Sequence, residues 1–184
     1  MPMKQHHSSR AVRALRACVA LCAMQAGAGS RAAEMLVAVE LPRLKHRPYV
    51  AVWLEREDRQ RVAELALWHE GGRTRKEGKR HKRDKYLPDL RHWWRTGGSA
   101  LEVPVDGVSG PTRPAGVHRL QFGASRAPLD NLPAGRYRLV VEAAREDGGD
   151  EMLSFAAQWP PRTAQQMRKQ GGTELGEVVL ELRP

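Results

Sequence analysis

Apolar and polar residues alternate with a period of two in several short segments separated by turn residues, and that period belongs to half-buried strands. Leu36 to Leu41 places Val37, Val39 and Leu41 on one face. Tyr49 to Glu55 is apolar on both faces, with Val50, Val52 and Leu54 opposite Tyr49, Ala51 and Trp53, which predicts a central strand. Val62 to Trp68 and Val117 to Phe122 carry the pattern more weakly. Tyr137 to Ala143 sets Tyr137, Leu139, Val141 and Ala143 inward and Arg138 and Glu142 outward. Met152 to Trp159 and Val178 to Leu182 complete a set of seven.

Seven short strands with turn signals between them and little helical periodicity predict an all-β fold, an antiparallel β-sandwich. Asp147-Gly148-Gly149-Asp150 reads as the hairpin turn between the fifth and sixth strands. Tyr86 to Trp94 departs from the alternation. Pro88 can open a short helix there, and Leu87, Leu90 and Trp94 would share one face of it. Gln165 to Gln170 reads as a further helical turn before Gly171-Gly172.

The N-terminus changes what counts as the folded chain. Lys4, Arg10, Arg13 and Arg16 precede a short apolar run, Ala17 to Ala26, and then small residues up to Ala33. That order is an export signal, and the run is too short to span a membrane. Residues 1–33 are therefore expected to be a signal peptide, and 34–184 a single sandwich domain of about 150 residues. The only two cysteines, Cys18 and Cys22, lie in the signal. Leu21 before Cys22 and Arg16 two residues before Cys18 do not suit a lipid anchor, so the expected product is periplasmic or secreted, with no transmembrane segment. It has no thiol for disulfides or thiolate metal sites.

Five of the 31 basic residues and none of the 21 acidic ones fall in residues 1–33, so the net charge drops from +10 to +5 without them. Much of the excess is local: eight basic residues lie between Arg73 and Lys85, against Glu77 and Asp84. This predicts a solvated basic loop over 71–85. Export argues against nucleic acid as its partner.

Candidate chemistry is confined to one string, Asp106-Gly107-Val108-Ser109-Gly110-Pro111-Thr112. As bare sequence it is an irregular exposed loop between strands, with Asp106 capping its own turn and Gly and Pro setting the backbone. It also resembles the Asp-x-x-Ser/Thr-Gly-Ala-Ser/Thr signature of proteins modified by FAD:protein FMN transferases. In that signature the last hydroxyl residue, here Thr112, takes FMN as a phosphoester. Asp106, Ser109 and Gly110 would shape the approach. Pro111 stands where those proteins usually have alanine, fixing φ and removing an N–H.

Other residue sets argue against catalysis. His46, His69, His81, His92 and His118 lack paired metal-ligand spacing, so no metal is expected. Ser109 has no Gly-x-Ser-x-Gly context, and no catalytic residue is assigned. Tyr86, Trp93 and Trp94 are read first as packing residues and second as aromatic neighbours of a flavin.

Several blocks together resemble a bacterial family of predicted periplasmic proteins whose function is not established. They are Pro48 to Glu55, Leu65 to Trp68, Lys85 to Arg95, Asp106 to Gly116, and Leu132 to Tyr137 running on to Glu146. The later half is also similar to the immunoglobulin-like module of flagellar hook-capping proteins, where Pro-x-Gly-x-Tyr, here Pro133, Gly135 and Tyr137, opens a strand. The resemblance implies an immunoglobulin-like sandwich and, through the family's association with flavin transferases and membrane proteins of the peptidase-propeptide-like type, a place in periplasmic electron transfer. The expected function is a covalent FMN carrier or an accessory to one, with the FMN transferase and a membrane redox protein as partners. The alternative is a non-catalytic immunoglobulin-like binding or assembly module.

Export should remove both cysteines. N-terminal sequencing of the processed protein is expected to begin between Gly29 and Met35, and a processed chain that retains Cys18 or Cys22 contradicts the assignment.

Overall fold

The computed structural model describes residues 32–70, 82–146 and 148–184, with the backbone alone for 82–85. The expected signal peptide, apart from its last two residues, lies outside the described residues. So do residues 71–81 of the expected basic loop. Arg31–Pro184 cluster as one compact unit.

Nine strands occur among the described residues: β1 (Glu34–Leu41), β2 (Tyr49–Glu55), β3 (Arg61–Trp68), β4 (Ser109–Gly110), β5 (Gly116–Gly123), β6 (Gly135–Ala144), β7 (Asp150–Trp159), β8 (Gln165–Gln170) and β9 (Glu177–Arg183). One sheet runs β5-β1-β9-β8 and the other β4-β3-β2-β6-β7, antiparallel throughout except for the β3–β4 pair. Their facing sides share one core, in which Met35, Val37 and Leu180 of the first sheet meet Val52, Leu139 and Phe155 of the second. The fold is an all-β sandwich, and all seven expected strands are present.

Two strands were not legible as such. Gln165 to Gln170 is strand β8, not a helical turn: it lies antiparallel to β9 from Gln165 opposite Leu182 to Gln170 opposite Glu177. Its side chains are exposed except for Met167, which packs partly against the core. Backbone pairing at a sheet edge, not a hydrophobic stripe, makes this strand. The other is β4, inside the candidate acceptor string.

Strand β2 sits between β3 and β6 and is buried along its whole length. Its inner face feeds the sandwich core. Its outer face, Tyr49, Ala51 and Trp53, forms a second apolar cluster with Leu87, Leu90 and Trp93 from the segment between β3 and β4. That segment is wound more tightly than the α-helical spacing predicts. A 3-10 helix covers Lys82–Asp89 with Pro88 inside it, and a short α-helix, α1 (Arg91–Arg95), follows. The inward positions of this segment are Leu87 at the end of the 3-10 helix, Leu90 at the junction and Trp93 in α1, not Trp94. Trp93 is wholly buried, while Trp94 is partly exposed. The same winding takes in residues 82–85, the expected end of the basic loop.

Glu142 does not point to solvent as the alternation predicts, because the outer face of this sheet is covered. It is buried, and its two carboxylate oxygens accept the backbone N–H groups of His92 at 2.8 Å and Trp93 at 2.7 Å. The residue before α1, Leu90, has no side-chain acceptor of its own. A strand residue thus supplies the helix cap from across the layer. Arg138, its companion on the outer face, is partly buried and pairs with the buried carboxylate of Glu55 through Nε at 2.9 Å. Gly98 then lets the chain lie on the indole of Trp93, since a Cβ there would come within 2.4 Å of the ring.

The β6–β7 hairpin closes where expected, with Ala144 opposite Asp150; Asp147 lies outside the described residues. From β7, Glu151 collects the loop before β9. Its Oε1 accepts from the Gly172 N–H at 2.5 Å, and Oε2 from the N–H groups of Thr173, Glu174 and Leu175 at 3.0, 2.8 and 2.9 Å. Partial burial raises this carboxyl, but the four N–H groups together outweigh it and hold it below the ordinary glutamate range.

The folded pKa of Glu151 lies below the unfolded value of about 4.3. Its contribution is therefore complete above that value and is lost as pH falls through the folded pKa. Glu151→Gln is expected to lower stability at neutral pH by about 1 kcal/mol, a figure reduced for partial solvent screening. Urea denaturation across a pH series should show the gap narrowing below about pH 4. A gap that persists undiminished in acid contradicts this account.

Candidate functional site

The candidate acceptor string begins as a tight turn. The Val105 carbonyl accepts the N–H groups of Val108 at 3.2 Å and Ser109 at 2.9 Å. Gly107 has φ +72°, with open space where a Cβ would stand, so this position favours glycine for its backbone and not for packing. The side chain that closes the turn is Ser109, whose Oγ accepts the Val105 N–H at 2.9 Å. Asp106, expected to cap this turn, is instead exposed.

After the turn the string is not a free loop. Ser109 and Gly110 form β4 and run parallel to Leu67 and Trp68 of β3. The Leu67 N–H donates to the Val108 carbonyl at 3.1 Å, and the His69 N–H to the Gly110 carbonyl at 2.9 Å. A Cβ on Gly110 would meet Arg113 at 3.9 Å and Trp68 at 4.0 Å, ordinary contact distances, so packing does not demand a glycine there. Thr112, two residues on, is 7 % exposed. The expectation of an exposed loop therefore holds for Asp106 and Gly107 but fails at Thr112, because pairing with β3 draws the string against the sheet edge.

Topology explains what surrounds Thr112. The β1–β2 connection, residues 42–48, passes from one sheet to the other, as does the β4–β5 connection, residues 111–115. Leu41 is paired with Gly116, and Val50 with Trp68, so both crossings lie at the same end of the sandwich. Between them open two clefts that share His46 and Arg47. One, of about 270 Å³, is lined by Thr112 together with Lys45, Tyr49, Glu70, Tyr86 and Glu146, among others. The second, of about 300 Å³, is lined by Arg43 and Arg113 along with prolines and small residues.

Aromatic contacts hold these walls. Tyr49 meets Tyr86 edge to face at 6.2 Å and His69 at 6.4 Å, and the Tyr86 hydroxyl bonds to Glu146. On the other side the Arg113 guanidinium lies 5.6 Å from the centre of the Trp68 ring. His118 stands edge-on to that ring at 5.4 Å while its Nε2 is 2.7 Å from the Pro114 carbonyl oxygen. The segment after Thr112 is thus clamped from the sheet side.

Of the expected site residues, Ser109 and Gly110 build the strand, Thr112 lines a cleft, and Asp106 stands apart on the turn. Of the aromatic group, only Tyr86 lines that cleft; Trp93 is inside the second apolar cluster and Trp94 beside it. Sequence reasoning missed Tyr49 as a cleft wall and the basic residues Arg43, Lys45, His46, Arg47 and Arg113. The run Arg43-Leu44-Lys45-His46-Arg47 was the available signal, overshadowed by the larger basic run of residues 73–85. Among the described residues, no helix is long and apolar enough to cross a membrane.

Residues 34–177 match the model of a family described as "Predicted periplasmic protein (DUF2271)". Searches of curated proteins and of solved structures give no match.

Ser109→Ala leaves the Val105 N–H without its side-chain acceptor. The expected cost is about 1 kcal/mol, read as a lower urea midpoint with an unchanged slope. An unaltered midpoint would mean that this bond does not hold the turn.

Proposed function

We propose that this chain, which belongs to the DUF2271 family of predicted periplasmic proteins, carries covalently bound FMN in periplasmic electron transfer, with Thr112 as the attachment residue. The supporting observation is the placement of Thr112. It is the final hydroxyl residue of the acceptor string, and it lines a cleft whose wall includes Tyr49 and Tyr86.

The residues present fit the group. Aromatic side chains offer faces and edges to a planar ring system, and the two adjoining clefts reach the size range of small-molecule sites, about 300–1,000 Å³. In the transfer step Thr112 Oγ attacks the FMN-side phosphorus of FAD held by an FMN transferase. The new bond is Oγ–P, the pyrophosphate P–O bond breaks, AMP leaves, and the hydroxyl proton passes to a base of the transferase. Asp106, exposed on the turn, is the residue best placed for the transferase to contact, and Ser109 and Gly110 fix the register of the segment that presents Thr112. Bound FMN would supply reversible electron transfer, with a membrane redox protein as partner.

The burial of Thr112 makes a demand on this reaction. The residues after β4 must lift from the edge for the hydroxyl to reach FAD. Pro111 and Pro114 have no N–H to give up, and Pro111, Arg113, Pro114 and Ala115 are all exposed. Lifting therefore sacrifices little backbone pairing, though Pro111 stiffens the segment where the usual signature has alanine.

Coexpression with an active FMN transferase in the periplasm should add the mass of one FMN to the protein. Thr112→Val keeps the size but removes the hydroxyl, and should abolish the gain while leaving the fold intact. Pro111→Ala should label at least as fast as wild type. If neither wild type nor Pro111→Ala is labelled, the carrier reading fails and the binding-module reading replaces it.

A further inference from the structure

The second cleft has a charge pattern of its own. Arg43, His46, Arg47 and Arg113 line it, and no acidic residue does. Among the described residues, no ion pair engages Arg43, Arg47 or Arg113, and the side chain of Arg113 is placed by stacking on Trp68. Pro48 and Pro114 also line the cleft, and their fixed φ stiffens the two crossings that bear the cations.

Like charges around one concavity add their potentials there and raise the local concentration of anions. What sets these cations apart is that they line one concavity without an acidic residue among them. Guanidinium groups present a planar fork that matches two oxygens of a phosphate, and such charge-assisted bonds are about twice as strong as neutral ones.

We propose that this cleft is a non-covalent seat for a phosphate-bearing ligand, with the charge supplied by Arg43, Arg47 and Arg113. The choice of a flavin phosphate as the ligand rests on the carrier reading above; the preference for phosphate rests on the cleft alone. His46 and Arg47 belong to both clefts, so a ligand seated by its phosphate lies beside the cleft that holds Tyr49, Tyr86 and Thr112. The seat thus gathers FMN or the pyrophosphate of FAD at the place where the link would form, and it remains as a counter-charge for the phosphodiester afterwards.

The test uses Thr112→Val protein purified from the periplasm, so that covalent labelling does not enter, and titrates it with FMN, riboflavin and inorganic pyrophosphate by calorimetry at low salt. FMN should bind at least tenfold more tightly than riboflavin, and pyrophosphate should displace it. Arg47→Ser and Arg113→Ser should each weaken FMN about tenfold and leave riboflavin unchanged, with Arg113→Lys recovering part of the loss. Equal affinity for FMN and riboflavin, no binding of either FMN or pyrophosphate, or arginine variants without effect would overturn the proposal. Pyrophosphate binding with no FMN binding would keep the phosphate seat and remove the flavin from it. The mass gain of wild type with the transferase is read separately. FMN binding without labelling leaves this seat standing and removes the covalent reading, whereas labelling without phosphate preference does the reverse.

Discussion

Burial of the outer face of β2 is the constraint from which the rest of this structure follows. A sandwich needs only the inner faces of its sheets to be apolar, yet β2 is apolar on both, and Trp53 is wholly buried on the outer one. Something must cover it. The chain between β3 and β4 does so with Leu87, Leu90 and Trp93. A connection long enough to cross that face also has the length that a parallel return requires. It therefore delivers β4 beside β3, and with β4 the Asp106 to Thr112 string.

The same cover buries charge. Glu55, Glu64 and Glu142 lie beneath it, each with assigned partners. Glu55 accepts the Trp53 indole N–H at 3.2 Å and pairs with Arg138, while His92 stacks on Trp53 at 5.7 Å with its Nε2 3.5 Å from the Glu55 carboxylate. Glu64 pairs with Arg61 at 2.5 Å and accepts the Trp93 indole N–H at 3.1 Å. Burial pushes the carboxyls of Glu64 and Glu142 above the ordinary range despite these partners. A raised folded pKa means that the folded state holds its proton longer than the unfolded one. These two groups therefore favour folding less as pH rises from the unfolded value through the folded one. The layer is polar enough to specify how the helix docks, since each carboxylate fits only the donors set against it.

The sandwich was legible because its inner faces obey a period of two and its central strand breaks that rule on both sides. Glu142 was read as solvent-facing for a local reason: alternation tells which side a residue faces, not whether another layer lies there. Tight winding over Lys82–Asp89 was hidden because apolar residues at Leu87, Leu90 and Trp94 suit one continuous α-helix, and residue types alone do not mark the junction at Leu90 after which Trp93 takes the buried position. β8 and β4 were illegible for a different reason. Both are held by backbone pairing with a neighbour distant in sequence, and side-chain patterns do not record that. At the candidate site the Asp106 to Thr112 string was visible as residue types, whereas the clefts depend on two connections that meet only because Leu41 pairs with Gly116.

The brevity of β4 has a consequence for when the string takes its form. Two residues of parallel pairing have no stability of their own, and they join segments separated by the whole helical cover, so loop closure must be met before the pairing contributes anything. Local hairpins such as β6–β7 have no such requirement. Ser109 and Gly110 can therefore settle only on a β3 that is already in place, late in the order of folding. A chain still threading into its compartment, or stalled with the cover undocked, holds the right residues in the wrong shape. The geometry that seats Thr112 against the sheet edge is thus a mark of a finished molecule.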